Sequence, residues 1–311
     1  MLKNRLQRRL KIDNAQLLAS TLCSGDTNTI KREVQVLIDS MLERYEHQLV
    51  DDIVHEAMLE VHGCKPPSQM LNLLWAIYRG NDQKSFELMI KFQLKFYHNA
   101  LKREQVPDME LQRMFGKNLY KFKNSPFYGS LSGNVKQQID FATHKLSSNL
   151  QYLLFQPYFC LMNSKYSEYM YTAMGQRNLD ASSRHVWLWH AKMSIDNTGH
   201  IQAIPQDLNR TDTSDLLVQL MGITYKVIYY MRAGDKMIAA WEPQSTEPMN
   251  HLWNVELIDA DRVVFYQGDY IMCSTDEKHD GERRTVRAYE RGTYTFGSNE
   301  CQWLLGKCNR R

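Results

Sequence analysis

Near residue 184 this chain changes period. Before that point its apolar residues recur every three to five positions, as on one face of a helix; after it they alternate, as on one face of a strand. One element cannot carry both patterns, because a repeat of about 3.6 and a repeat of about 2 turn the same residues toward different faces. The chain is therefore expected to be α+β, with a helical N-terminal domain over residues 1–180 and an antiparallel β-rich C-terminal domain over residues 181–311. Its 311 residues, 43% hydrophobic and 23% charged, are enough for two ordinary cores.

In the first part, residues 28–62 read as one long amphipathic helix. Val34, Leu37, Met41, Tyr45, Leu49, Val54, Met58 and Val61 line one side, acids fill most of the other, and Gly63 with Pro66-Pro67 ends it. A second helix is expected near 68–79, capped by Ser68, and a third over about 82–104. A fourth opens at Pro107 and closes at Gly116. Residues 117–133 read as a loop, with helical patterning again at 134–155 and 158–174. Gly175 and the polar run after it mark the boundary, where limited proteolysis is expected to cut first, within about residues 175–184. The basic start, with Lys3, Arg5, Arg8, Arg9 and Lys11, lacks the apolar core of a secretory signal and reads as a solvated helix.

The second part reads as a series of hairpins. HVWLWHAKMSI and HIQAI flank Asn197-Thr198-Gly199; TYKVIYYMRA and KMIAAW flank Gly234-Asp235; WNVELI and DRVVFY flank Asp259. DYIMCS, RRTVRAYERG and TYTF add strands, and a helix near 213–221 interrupts them. Short strands with turn signals between them suggest an antiparallel sheet, sandwich or barrel. No internal sequence repeat is visible. Of the six tryptophans, Trp187, Trp189, Trp241, Trp253 and Trp303 fall here, as a sheet core would require.

Charge divides unevenly. Residues 183–311 hold 15 Lys and Arg against 17 acids, which leaves 23 against 18 for residues 1–182 out of the whole-chain 38 and 35. A polyanion site is thus expected in the helical part. Between Lys91 and Lys145 ten basic residues face four acids. Within that stretch Lys117, Lys121 and Lys123 alternate with Tyr120 and Phe122, and Phe127 and Tyr128 follow. Cations that track phosphates beside aromatics that stack on bases are how single strands are held; the competing reading is that the rings anchor a loop to the core. A second stripe, Arg287, Tyr289 and Arg291, shares one face of its strand, opposite Val286 and Ala288.

Other constellations exclude more than they suggest. HEAMLEVH at 55–62 has Leu59 where a zinc protease needs its second histidine, so His55 and His62 predict no metal. His185 and His190 lie five apart and point to opposite faces of a strand; His185 and His200 could meet across a hairpin as an acid–base pair. Asp259, Asp261 and Asp269, like Asp276, Glu277 and Asp280, fall where turns are expected. GSLSG at 129–133 has Leu131 in the position of a nucleophilic serine, and no phosphate-binding glycine loop is present. The cysteines Cys23, Cys64, Cys160, Cys273, Cys301 and Cys308 are too sparse for a disulfide scaffold and read as reduced thiols in the cytoplasm. No run is long enough to span a membrane.

These residues together predict a non-enzymatic assembly or interaction protein that binds nucleic acid, single-stranded RNA in preference, without cofactor or metal. A homo-oligomer is expected, and the 16 Met and 17 Tyr suit a viral or phage subunit. The alternatives are an RNA-cleaving enzyme built on His185 and His200, and a purely structural portal-like subunit.

Overall fold

The computed structural model describes residues 2–61, 63–75, 78, 82–103, 109–172, 179–185, 189–193, 216–224, 227–234, 237–241 and 252–307. They form two compact units, one reaching Lys145 and one starting at Leu146. The first is helical and the second is an antiparallel β-barrel, so the chain is α+β.

The helical unit holds α1 (Leu2–Cys23), α2 (Thr27–Arg44), α3 (His47–Glu60), α4 (Pro67–Leu74), α5 (Gln83–Arg103), α6 (Met109–Lys123) and α7 (Gly133–His144). Side-chain carboxylates start two of them. Asp26 accepts from the backbone N–H groups of Asn28 and Thr29, and Asp82 from those of Lys84 and Ser85. The basic first helix buries Ala15, Leu18, Ala19 and Leu22 and leaves Arg8 and Arg9 in solvent.

Three expectations change here. The helix read over 28–62 is two helices, because Tyr45 and Glu46 are both extended. The apolar spacing continues across the break, since both halves bury the same kind of face. At the start of α4, Pro66 takes the cap position that Ser68 was expected to fill, and Pro67 opens the first turn. Gly116 does not close α6 but lies buried inside it, so Lys117–Lys123 is helix rather than loop.

In the second unit α8 (Ser148–Phe155) leads into twelve strands: β1 (Cys160–Asn163), β2 (Tyr169–Thr172), β3 (Leu179–Ser182), β4 (Trp189–Met193), β5 (Leu216–Thr224), β6 (Val227–Gly234), β7 (Met237–Trp241), β8 (Leu252–Leu257), β9 (Arg262–Gln267), β10 (Tyr270–Lys278), β11 (Arg284–Glu290) and β12 (Trp303–Gly306). The helix expected at 158–174 is thus β1 and β2. Asn163 ends β1 by accepting from the N–H groups of Lys165 and Tyr166, and Ser167 takes φ 54°, which no helix tolerates. Short apolar runs on either side of such a turn cannot be told from helix by period alone. The helix expected near 213–221 is likewise β5, and TYTF at 293–296 is a turn before β12. The β6–β7 and β8–β9 hairpins are present. The second arm of the hairpin expected at 185–204 lies outside the described residues, and β4 pairs with β5.

Pairing closes a ring. β1 meets β4 through Phe159 and Trp189, then β4–β5, β5–β8, β8–β9, β9–β12 and β12–β1 follow, all antiparallel. The hairpins β2–β3, β6–β7 and β10–β11 lie outside this six-stranded ring, and β11 joins them by pairing with both β3 and β7. Three successive four-strand segments, each giving two strands to the barrel and a hairpin to the cap, make a β-trefoil arrangement.

The repetition absent from the sequence survives in the core. Trp189, Trp253 and Trp303, at or beside the start of the fourth strand of each segment, are fully buried. The indole N–H of Trp189 donates to the Met170 carbonyl on β2, and that of Trp303 to the Met272 carbonyl on β10, each at 3.1 Å. Outside the ring, α8 is tied to the β8–β9 turn: Asn149 donates from its backbone to the Ala260 carbonyl and from its side chain to that of Asp259.

Among the described residues no cysteine is a free thiol. Cys23, at the end of α1, is bonded to Cys64 after α3, and Cys273 to Cys301 in the barrel unit; Cys160 is also disulfide-bonded. Forty-one residues separate the first pair and 28 the second. Sequence spacing does not report such proximity, which is created by the packing of α1 near α3 and of β10 near the turn before β12. Cys308 lies outside the described residues.

Candidate nucleic-acid interface

On α6 the 3.6-residue repeat turns Phe115, Leu119 and Phe122 inward. Phe122 is fully buried, tilted against Trp75 and edge-on to Phe86, so its ring cannot stack on a base without leaving the core. Phe127 packs on Tyr78 and Phe86. Lys123 forms an ion pair with Asp140 at 2.7 Å, and the Lys121 ammonium lies 5.7 Å from the Trp75 ring centre. Lys117, Tyr120 and Tyr128 are half-buried. Burial raises the Tyr120 and Tyr128 hydroxyls above the usual phenol range, and Asp140 adds to the second shift.

On β11 Val286 and Ala288 are buried and alternate with the half-buried Arg287 and Tyr289, while Arg291 lies in the turn beyond the strand, which ends at Glu290. Each polar member is already engaged. Arg287 pairs with Glu277 at 2.8 Å, Tyr289 shares a hydrogen bond with Thr275, and Arg291 lies over Tyr266 and Phe296.

The remaining candidates sort by location. The His185 ring stacks on Tyr171 at 4.8 Å, while His200 lies outside the described residues, as do His62 and the His190 side chain. Asp259 accepts from the N–H groups of Asp261 and Arg262 and from the Arg262 guanidinium, and Asp280 repeats this with Glu282 and Arg283. Both are turn residues that neutralise their own arginine, as the sequence position suggested. Among the described residues no group of three or more His, Cys, Asp or Glu could hold a metal ion.

What the fold assembles, and the sequence reading missed, is a groove between α5 and α7. It encloses about 340 Å³ and is lined by Leu94, Tyr97 and Leu101 of α5 and by Gln137, Phe141 and Ala142 of α7, with polar neighbours on its rim. Phe141 is 58% exposed, and the Lys145 ammonium lies 5.3 Å from its ring centre. Lys95, His98 and Lys145 stand around the opening, with Lys102 one turn beyond His98. None of these four makes an ion pair among the described residues. The readable signal was Gln137, Phe141 and Lys145, spaced i, i+4, i+8 on one helix face.

Electrostatics mark the same place. The His98 imidazole is held below its usual range by partial burial, then by Lys102, Lys95 and His55. His55 on α3 is depressed as well, by burial and then by Lys95. Burial and nearby lysines disfavour the charged form of both imidazoles, Glu56 and Asp52 partly offsetting this at His55, and an anion beside His98 would favour its charged form. Of the lining residues Tyr97 is 2% exposed and stacks on Phe115 at 3.8 Å. Its buried hydroxyl has no hydrogen-bond partner among the described residues, and burial raises it far above the usual phenol range.

No family model matches this chain, and no curated protein does. Among solved structures it is similar to a GlcNAcα1-4Gal-releasing endo-β-galactosidase from Clostridium perfringens, at 10% identity over 50% of this chain and 34% of that one, with a TM-score of 0.35. It is similar to the lysenin pore at 12% identity over 51% and 48%, TM-score 0.33, and to the botulinum neurotoxin serotype C1 binding domain at 10% over 58% and 51%, TM-score 0.36. The chain spans a third to a half of the length of these structures, at an identity and a TM-score that assign neither family nor function.

Proposed function

We propose that this chain is a non-enzymatic assembly protein whose helical unit binds single-stranded nucleic acid, RNA in preference, through the α5–α7 groove. The observation that carries the proposal is the group formed by Lys95, His98, Lys102 and Lys145, without ion pairs among the described residues, around a concave apolar surface that exposes Phe141. Cations supply sequence-independent attraction to phosphates, and an exposed ring favours unpaired bases over duplex. Lys117, Lys121 and Lys123 on α6, with Tyr120 and Tyr128, have a secondary role; Arg287, Tyr289 and Arg291 form a separate and weaker surface.

The test is binding of single-stranded RNA across a salt series. Lys95→Ala/Lys145→Ala should lower affinity on the order of tenfold and reduce the log–log salt slope by about 0.7 for each phosphate no longer neutralised. A phosphate beside His98 would favour the charged imidazole, against the burial that chiefly depresses its pKa and the smaller effects of Lys102, Lys95 and His55. Affinity should therefore rise as pH falls through the His98 range. Salt-independent binding, or a double variant equal to the parent, would defeat the proposal.

The place of action belongs to the same reading. A cytoplasmic chain keeps its thiols reduced, whereas paired cysteines suit proteins exposed to oxidising surroundings, virion surfaces among them. A viral or phage subunit, made in the cytoplasm and oligomerised into a particle that leaves it, satisfies both. Among the described residues no helix is long and apolar enough to cross a membrane.

A further inference from the structure

We infer that the α5–α7 groove seats one unstacked nucleobase, with the attached phosphate on Lys95 and Lys145; this rests on the nucleic-acid reading above and names the unit the groove recognises. Three features converge on that occupant. The first is size: about 340 Å³ lies near the lower limit of small-ligand pockets and holds one nucleotide, not a folded strand.

The second is chemistry. Leu94, Leu101 and Ala142 give an apolar floor, and the exposed Phe141 ring gives a face for stacking. Asn134, Gln137 and Gln138 bring amides, which both donate and accept, to the rim. Gln138 donates to Asn134 at 3.2 Å, and exposed amides of this kind can read base edges. Among the described residues no acid lines the groove, so its cations call for an anion. A nucleotide joins a π-face, an edge of donors and acceptors, and a phosphate in one unit.

The third is the Tyr97 hydroxyl. A buried O–H without a partner is costly in an unliganded protein. Tyr97 is one of the residues that line this groove, and a small shift of its ring toward a seated base would give that hydroxyl a partner. Phenylalanine at position 97 would keep the stacking on Phe115 and remove only that group.

The experiment titrates the full chain with AMP, UMP, ribose 5-phosphate, inorganic phosphate and single- and double-stranded RNA, followed by calorimetry and NMR. AMP or UMP should bind about tenfold more tightly than ribose 5-phosphate, the range expected when one ring is used for stacking. Phe141→Ala and Tyr97→Phe should each shrink that ratio toward one while leaving ribose 5-phosphate binding unchanged. Tyr97→Phe should not lower Tm, which separates a weakened ligand interaction from a damaged fold. Equal binding of base-bearing and base-free phosphates, or a ratio indifferent to both substitutions, would overturn the inference. Salt-dependent RNA binding alongside that result would leave the nucleic-acid reading standing without the base seat. Mononucleotide binding without RNA binding would keep the seat, as one for a free nucleotide, and remove the strand.

Discussion

The two units handle their cations differently. In the barrel unit, hairpins and neighbouring strands give arginines their own acids: Arg262 pairs with Asp259 at 2.6 Å, Arg283 with Asp280 at 2.6 Å, Arg284 with Glu168 at 2.9 Å, and Arg184 with Glu282. In the helical unit Lys11, Lys91 and Lys123 are paired, yet Lys95, Lys102 and Lys145 have no such neighbour among the described residues. Net charge by segment, positive in one part and negative in the other, points to the unit that holds the cations without ion pairs among the described residues. It does not point to those residues. A turn places an acid and a base three apart within reach, whereas a helix pair leaves counter-charge to chance between elements that are distant in sequence.

Truncation tests this division most severely. Expressed alone, residues 146–311 should fold. Residues 181–311 should not, because they lack β1, which pairs with β12 along four residues and closes the ring on β4. Cooperative melting of the shorter fragment would place the boundary near residue 180 after all.

Trp303→Ala comes next. The side chain is fully buried and its N–H is used, so a loss of about 3–5 kcal/mol is expected in the barrel unit. If the two units are independent, single-stranded RNA binding by the helical unit should persist in that variant, and concurrent loss of both would show that they are not.

A smaller difference separates the lysine groups. Changing Lys117, Lys121 and Lys123 together to Ala should weaken RNA binding by about threefold at most. The Lys95/Lys145 pair should cost several times more, since Lys123 already spends its charge on Asp140. Equal losses would move the interface from the groove to α6.

The smallest effect concerns Asp180 in the barrel unit. Its carboxyl is buried, one oxygen lacks a hydrogen bond, and the nearest Arg283 nitrogen is 3.9 Å away. Burial raises its pKa, against partial compensation from His279 and Arg283. A carboxyl whose pKa is higher folded than unfolded favours the fold below its unfolded value, and that contribution is lost as pH rises through the folded value. At neutral pH Asp180→Asn should therefore raise Tm by roughly 2–4 °C, with the gain shrinking in acid. A lower Tm at neutral pH would mean that the Arg283 interaction outweighs the burial cost.

Local pattern carries the α+β class, the amphipathic faces of α3 and α5, the hairpins at Gly234-Asp235 and Asp259, and the turn role of Asp259. These depend on residues a few positions apart, where period, capping and turn chemistry act directly. Tertiary structure alone decided the rest. It made strands of 160–172, because Asn163 and Ser167 form a turn that apolar counting does not register. It buried Phe122 rather than leaving it in a loop, since Gly116 did not stop α6. It joined Cys23 to Cys64 across 41 residues and Cys273 to Cys301 across 28. It also set Phe141 beside Tyr97 and Lys95. Such meetings depend on how whole elements pack, and packing energy is shared among many long-range interactions that no local pattern contains.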